Sequence, residues 1–310
     1  MTAVRVPWSS ASFLAYLGGL TILFAAGSLL TVQSDAHGSA GLVLWALIIF
    51  VVLLGAALLA RNRGHFVIAG LLALSVVVTF VALLGALLDW FGWFPNTDSP
   101  FKGFRFWFLV LELAAIVASA VALRIFRFPL LVFLLAVSAW FFVTDLISGG
   151  GDWSAIVTIV VGLALLLAGI AVDDGPSRPF GFWLHVAAGI AIGGGLLWFF
   201  HDSTFDWIVI GVVGLAYLAL GERVTRSSWA VLGGWGMLQT AAFLADKWSD
   251  VTELFFPLIY FFPFIISLDG DYSEHKHNWL GPLVFGVTGL VFIALAVFMA
   301  RRSRPAIAEI

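Results

Sequence analysis

The sequence predicts an all-α integral membrane protein, a bundle of about ten transmembrane helices arranged as five helical hairpins. Of the 310 residues, 62% are hydrophobic and only 11% are charged, whereas soluble domains carry about 25% charged residues. The apolar runs are long and continuous, which indicates helices, and they do not alternate with polar residues as barrel strands do. The charges are also segregated, because arginine-bearing and acidic loops alternate along the chain.

Ten apolar runs are long enough to cross a bilayer, which takes about 20 residues of helix. We interpret residues 1–310 as a single transmembrane domain, and the first run as a retained span, not a cleaved signal peptide. The predicted spans are 12–31, 42–60, 66–88, 106–123, 130–147, 153–172, 180–200, 205–220, 229–244 and 279–300.

The distribution of charge predicts the orientation. Short basic loops stay in the cytoplasm, so both termini are expected to be cytoplasmic (N-in/C-in), in the cell (cytoplasmic) membrane. The arginines expected on the cytoplasmic side are Arg5, Arg61, Arg63, Arg124, Arg127, Arg178, Arg223, Arg226, Arg301, Arg302 and Arg304. The opposite side is expected to hold Asp35, Asp89, Asp98, Asp145, Asp152, Asp202, Asp206, Asp246, Asp250, Glu253, Asp269, Asp271 and Glu274.

The segment 254–268 is apolar but contains Pro257 and Pro263. As an additional span it would place the last three arginines outside, against the charge rule. We therefore predict an interfacial or re-entrant segment on the outer side, inside the longest outer loop.

The ten spans pair into five hairpins that rise outward, turn through an acidic loop and return to an arginine. Several returning helices open with a similar dipeptide: Asp152-Trp153, Asp206-Trp207 and Asn278-Trp279. We expect the Asp or Asn to cap the helix and the Trp to anchor it at the membrane interface.

Glu112 is the most informative single residue, because it lies within an apolar span where an ionised carboxylate is costly. At helical spacing it shares a face with the small residues Ala115, Ser119 and Ala122. Ser138 and Gln239 are expected at a similar depth, where they could form hydrogen bonds with it. Two interpretations follow: a proton or cation site, or a protonated carboxyl that joins two helices.

His185 lies in the predicted span 180–200, on a stripe with Gly189 and Gly193. The small residues predict a close helix contact. An interhelical hydrogen bond is the favoured role of His185, and a proton relay is the alternative.

No cofactor and no metal are predicted. The chain has no cysteine and none of the usual hydrolase or phosphate-binding motifs. The outer residues Asp269, Asp271, Glu274, His275 and His277 form a weak metal candidate, since their spacing matches no zinc site and only part of a calcium loop. A solvated loop is the favoured interpretation.

Three functions are compatible with these features. The first is a transporter or channel for a small solute or ion, and the second is a non-catalytic membrane partner or stress-related protein. A lipid-modifying enzyme is the third and the least supported. The expected partners are the lipid bilayer, a small solute or ion, and a second copy or another membrane protein. No nucleic-acid partner is expected.

Overall fold

The computed structural model describes residues 38–93, 102–147, 150–173, 175, 177–249 and 287. These residues form helices and short connections, with no strand among them. The helices are α1 (Gly38–Asn62), α2 (Phe66–Trp90), α3 (Lys102–Phe126), α4 (Leu130–Ile147), α5 (Gly151–Asp173), α6 (Arg178–Phe199), α7 (Thr204–Val224) and α8 (Ser227–Ser249). The predicted spans 12–31 and 279–300, residue 287 excepted, and the segment 254–268 lie outside the described residues.

Seven of these helices, α1 to α7, are long and apolar enough to cross a membrane. For the described residues, the prediction of a helical, multi-span protein is therefore confirmed. α8 covers the predicted span 229–244 and is long enough, but Gln239, Thr240 and its several glycines make it less apolar, so it is not among the seven.

The outward faces of the helices carry large apolar side chains, as expected for contact with lipid. On α5, Val160, Leu163 and Leu167 point away from the rest of the protein, and Leu167 is 67% exposed. A soluble protein would rarely leave such a row of apolar residues uncovered.

Two of the arginine-bearing turns, those after α1 and α7, end the preceding helix in the same way. α1 ends at Gly64 in the left-handed conformation (φ 81°), where the His65 N–H donates to the Ala60 carbonyl at 2.9 Å. α7 ends in the same way at Thr225 (φ 52°), where the Arg226 N–H donates to the Gly221 carbonyl at 3.0 Å. This is the Schellman arrangement, which satisfies carbonyls that a helix end leaves without partners.

The described residues form two compact units, one up to Gly195 and the other from Leu196 onward. The main core of the first unit lies where α1 and α2 meet the ends of α3 and α4. Phe128, in the turn from α3 to α4, is fully buried against Gly70 of α2, whose missing side chain makes room for the ring. The other buried members are Leu53, Ala57, Ala69, Leu71, Leu72, Ala73, Val76, Val77, Ala122, Phe126 and Leu131.

α5 and α6, up to Gly195, pack closely through glycines. A methyl group added at Gly162 would lie 2.7 Å from an Ile192 side-chain carbon, and one added at Gly195 would lie 2.9 Å from the Ala155 carbonyl oxygen. Small residues let the helix backbones approach each other, which is a common basis of helix association in membranes.

In the second unit, α7 and α8 are in direct backbone contact. A methyl group added at Gly233 of α8 would lie 2.5 Å from the Gly214 carbonyl oxygen of α7. The Thr240 hydroxyl donates a hydrogen bond to the Trp207 carbonyl at 2.9 Å, and the Tyr217 ring meets the Trp229 ring edge to face at 4.8 Å. Glycines, interhelical hydrogen bonds and aromatic pairs thus hold the two helices together.

The start of α7 differs from the expected arrangement. Ser203 is the N-cap: its hydroxyl accepts from the Asp206 N–H at 3.2 Å, while Asp206 accepts from the Ser203 N–H at 2.8 Å. Asp206 is therefore the second member of a capping box. Trp207 is buried, stacks on Phe243 at 4.8 Å and donates to the His201 carbonyl. The expectation that Trp207 anchors the helix at the membrane interface is wrong, because the ring packs against α8.

The packing between helices does not favour the predicted hairpin pairs over the other neighbouring pairs. α3 packs on α4 at least as extensively as on α2, and α7 packs closely on α8. Each of these pairs is joined by an arginine-bearing turn, 127–129 or 225–226, whereas the predicted hairpins turn through acidic loops. A short turn keeps two helices side by side, which explains the difference.

Candidate functional site

Glu112 lies in α3, and its carboxyl group comes within hydrogen-bonding reach of the Asp145 carboxyl of α4. A hydrogen bond between two carboxyl groups requires a proton on one of them, since ionised carboxylates only accept. Asp145 lies near the end of α4, one turn before the connection to α5. The pair is therefore closer to the acidic-loop end of the helices than to their middle.

The two helices place this pair by their register. α3 and α4 are joined by the turn 127–129, in which Arg127 adopts the left-handed conformation (φ 51°). From this turn, equal distances along the two helices bring Phe126 opposite Leu131 and Glu112 opposite Asp145. Phe126 and Leu131 are both buried in the core of the first unit, so the seam is apolar at the arginine end and acidic at the other.

The same register places two serines between these levels. Ser119 follows Glu112 by seven residues on α3, and Ser138 precedes Asp145 by seven residues on α4. Seven residues are close to two helical turns, so each serine shares a face with its carboxylate. Ser119 is fully buried and Ser138 is 8% exposed. Ser138 was predicted at the depth of Glu112, and this register places it opposite Ser119, two turns away.

Two oxygens along this seam have no hydrogen-bond partner among the described residues. They are Oε2 of Glu112 and Oγ of Ser119, both atoms without solvent exposure. Buried polar atoms in proteins nearly always have a partner, which is another protein group or an ordered water.

Gln239 was the other predicted neighbour of Glu112. It is half-buried in α8, which belongs to the second compact unit. The pairing of Gln239 with Glu112 stays a prediction.

His185 is fully buried in α6, and its Nε2 lies 2.9 Å from Oδ2 of Asp173 at the end of α5. Gly169, one turn before Asp173, packs against the imidazole: a methyl group there would lie 3.1 Å from two of the ring atoms. The interaction joins two neighbouring helices, as expected for an interhelical hydrogen bond. Its partner Asp173 was not predicted, although the spacing from Gly169 puts both residues on the same face of α5.

The predicted metal candidates Asp269, Asp271, Glu274, His275 and His277 lie outside the described residues. Within the described ranges, no group of three or more His, Asp or Glu residues is arranged to hold a metal ion. His201 instead pairs with Asp202, with Nε2 and Oδ1 3.2 Å apart.

Sequence reasoning identified Glu112 but missed Asp145, which was assigned to an outer acidic loop. The signal was present in the spacing, because Ser138 and Asp145 repeat the seven-residue separation of Glu112 and Ser119. Two such pairs on consecutive helices joined by a short turn indicate a shared polar seam.

Comparison of the chain with protein-family models, with curated proteins and with solved structures gave no match. The function must therefore be argued from the residues themselves.

Proposed function

We propose that this protein is an ion transporter that moves protons across the membrane, and that Glu112 and Asp145 are its proton-binding pair. The observation that carries the proposal is the close approach of these two carboxyl groups, on two packed helices of spanning length. Acidic residues within membrane spans are costly and characteristically mark ion pathways.

The pair has the chemistry that proton binding requires. With one proton shared, the two carboxyl groups carry a single negative charge and hold each other by a hydrogen bond. Loss of that proton leaves two carboxylates that repel each other across the α3–α4 seam. Protonation therefore changes both the charge of the site and the attraction between two helices, which is how binding of an ion can be coupled to helix movement.

A purely structural pair is the competing explanation, and it makes a different prediction. An amide can replace one carboxyl group in a hydrogen bond but cannot release a proton at ordinary pH. Glu112→Gln and Asp145→Asn should therefore preserve the contact between the helices but abolish proton transport by the pair.

The test is proton flux into proteoliposomes that contain a pH-sensitive dye, driven by a potassium diffusion potential. We expect Glu112→Gln and Asp145→Asn each to lower the flux by about a hundredfold, the smaller end of what a positioned proton-transfer group contributes. Asp89→Asn is the matched control, because Asp89 is an exposed carboxylate at the end of α2. Undiminished flux in Glu112→Gln, or wild-type protein that passes no protons, would contradict the proposal.

The orientation and the number of spans belong to the same proposal. We infer ten spans in five hairpins, with both termini in the cytoplasm and the arginine-bearing turns on that side of the cytoplasmic membrane. The support is the alternation along the chain: arginines lie in the connections that follow α1, α3 and α7, and Arg178 begins α6 directly after the connection that follows α5. Basic residues in short loops are retained in the cytoplasm during insertion.

A further inference from the structure

The polar seam between α3 and α4 continues beyond the carboxyl pair. Glu112 and Ser119 lie on one face of α3, and Asp145 and Ser138 lie on the facing side of α4. At about 1.5 Å per residue, the serine level is about 10 Å from the carboxyl level along the helix axes. Three or four hydrogen-bonded water molecules would span such a distance, at about 2.8 Å from one oxygen to the next.

Ser119 points to what occupies this seam. It is fully buried, and its hydroxyl has no hydrogen-bond partner among the described residues. A helical serine commonly bonds to a carbonyl one turn earlier, as buried Ser75 of α2 does to Leu71 at 3.4 Å. Ser119 does not, so its hydroxyl is available for a ligand in the seam.

Glu112 contributes the second available atom. Its Oε2 is buried and lacks a protein partner within the described part of the chain, while the carboxyl group also lies next to that of Asp145. Between the two levels, this face of α3 carries Ala115 and Ile116. A buried polar atom without a protein partner is the kind of site that holds internal water.

We propose that the α3–α4 seam binds a short chain of water molecules that connects the Glu112–Asp145 pair to Ser119 and Ser138. The chain is the route by which the pair gains and loses its proton. In each transfer an O–H bond of the carboxyl group breaks, an O–H bond forms on the adjacent water, and a carboxylate remains. The hydroxyl of Ser119 holds the far end of the chain, as both donor and acceptor. The inference rests on the proposed function only for the use of the proton, since the water site can be measured without transport.

The experiment measures how fast the protonated carboxyl of the pair exchanges with D2O, from the downshift of its C=O stretching band in the infrared. The band is assigned by its loss in Glu112→Gln/Asp145→Asn. We expect Ser119→Ala to slow the exchange about tenfold, as for loss of one hydrogen bond of typical net strength. Ser119→Thr keeps a hydroxyl and should keep the wild-type rate. Ser75→Ala, which removes a buried hydroxyl outside the seam, should also leave the rate unchanged.

Exchange at the wild-type rate in Ser119→Ala would overturn the water chain, and so would equal slowing in Ser75→Ala. A wild-type spectrum without a band that the double variant removes would show that the pair holds no proton, and would overturn both proposals. The two fail separately in the remaining cases. If exchange is slowed in Ser119→Ala but the wild-type protein passes no protons, the water chain is supported and transport is rejected. If proton flux requires Glu112 but exchange in Ser119→Ala is normal, transport is supported and the water chain is rejected.

Discussion

Thr225 ends α7 in a backbone conformation that favours glycine. Its φ of 52° lies in the left-handed region, which costs a residue with a β-carbon roughly 1–2 kcal/mol. At the corresponding position of α1 the chain has Gly64, with φ 81°. The same motif is thus made once with the residue that fits it and once with a β-branched residue that does not.

Replacing Thr225 with glycine should therefore stabilise the protein. We expect Thr225→Gly to raise the free energy of unfolding by about 1 kcal/mol, because the strain at this turn is removed. The measurement is unfolding of the purified protein in mixed micelles by increasing SDS. Gly64→Ala is the reverse control and should lower the free energy of unfolding by a similar amount, because alanine is strained at this φ. A methyl group there meets no other atom within 4 Å, so no steric clash adds to the effect. Equal stability of all three proteins would refute this account of the turn.

His185 illustrates how a buried polar residue is accommodated within a helix pair. The imidazole lies on Gly169 and bonds to Asp173, so one helical turn of α5 supplies both the space and the partner. Buried polar groups that lack such a partner are costly. The contact therefore fixes the register of α5 against α6 at their arginine-bearing end.

Among the helices, α7 and α8 provide the sharpest test of packing, because two adjacent glycines of α8 have different surroundings. Gly233 faces the Gly214 backbone of α7, whereas a methyl group at Gly234 would meet no atom within 4 Å. Alanine favours a helix interior over glycine by about 0.5–1 kcal/mol at either position. Any difference between the two variants therefore reports the contact between the helices.

We expect Gly233→Ala to destabilise the protein by about 1–3 kcal/mol, the usual cost of overfilling a well-packed interface. Gly234→Ala should be neutral or stabilising. Both are measured by the same SDS unfolding, with the proteins expressed and purified side by side. If Gly233→Ala is as stable as Gly234→Ala, the backbone contact at Gly214 does not determine how α7 and α8 pack.

The extent of the helices could be predicted from the sequence, but their pairing could not. α4 has the bounds of the predicted span 130–147, because Pro129 and the apolar run mark its limits. The pairing of Glu112 with Asp145 depends instead on the turn at Arg127. This residue adopts the left-handed conformation without being a glycine, so the sequence does not indicate it. The burial of Trp207 likewise depends on Phe243 of another helix. Composition and length determine helices locally, whereas register is a property of two helices and the turn between them.

For the whole molecule, the natural absence of cysteine makes the proposed orientation directly testable. Asn62 in an arginine-bearing connection and Asp202 in the connection from α6 to α7 are both exposed. In spheroplasts, a membrane-impermeant maleimide should label Asp202→Cys from outside, and should label Asn62→Cys only after the membrane is permeabilised. The parent protein should not react. Labelling of Asn62→Cys from outside would reverse the orientation that the arginines indicate.

The turn between α7 and α8 has a consequence for how the chain is made. Only Thr225 and Arg226 separate the two helices, so their contacts can form in order outward from the turn, and the pair Thr204–Lys247 at its far end is only 43 residues apart. Contacts of this kind cost little loop-closure entropy and form quickly. The pair can therefore assemble once α8 has left the ribosome, while later residues of the chain are still being added.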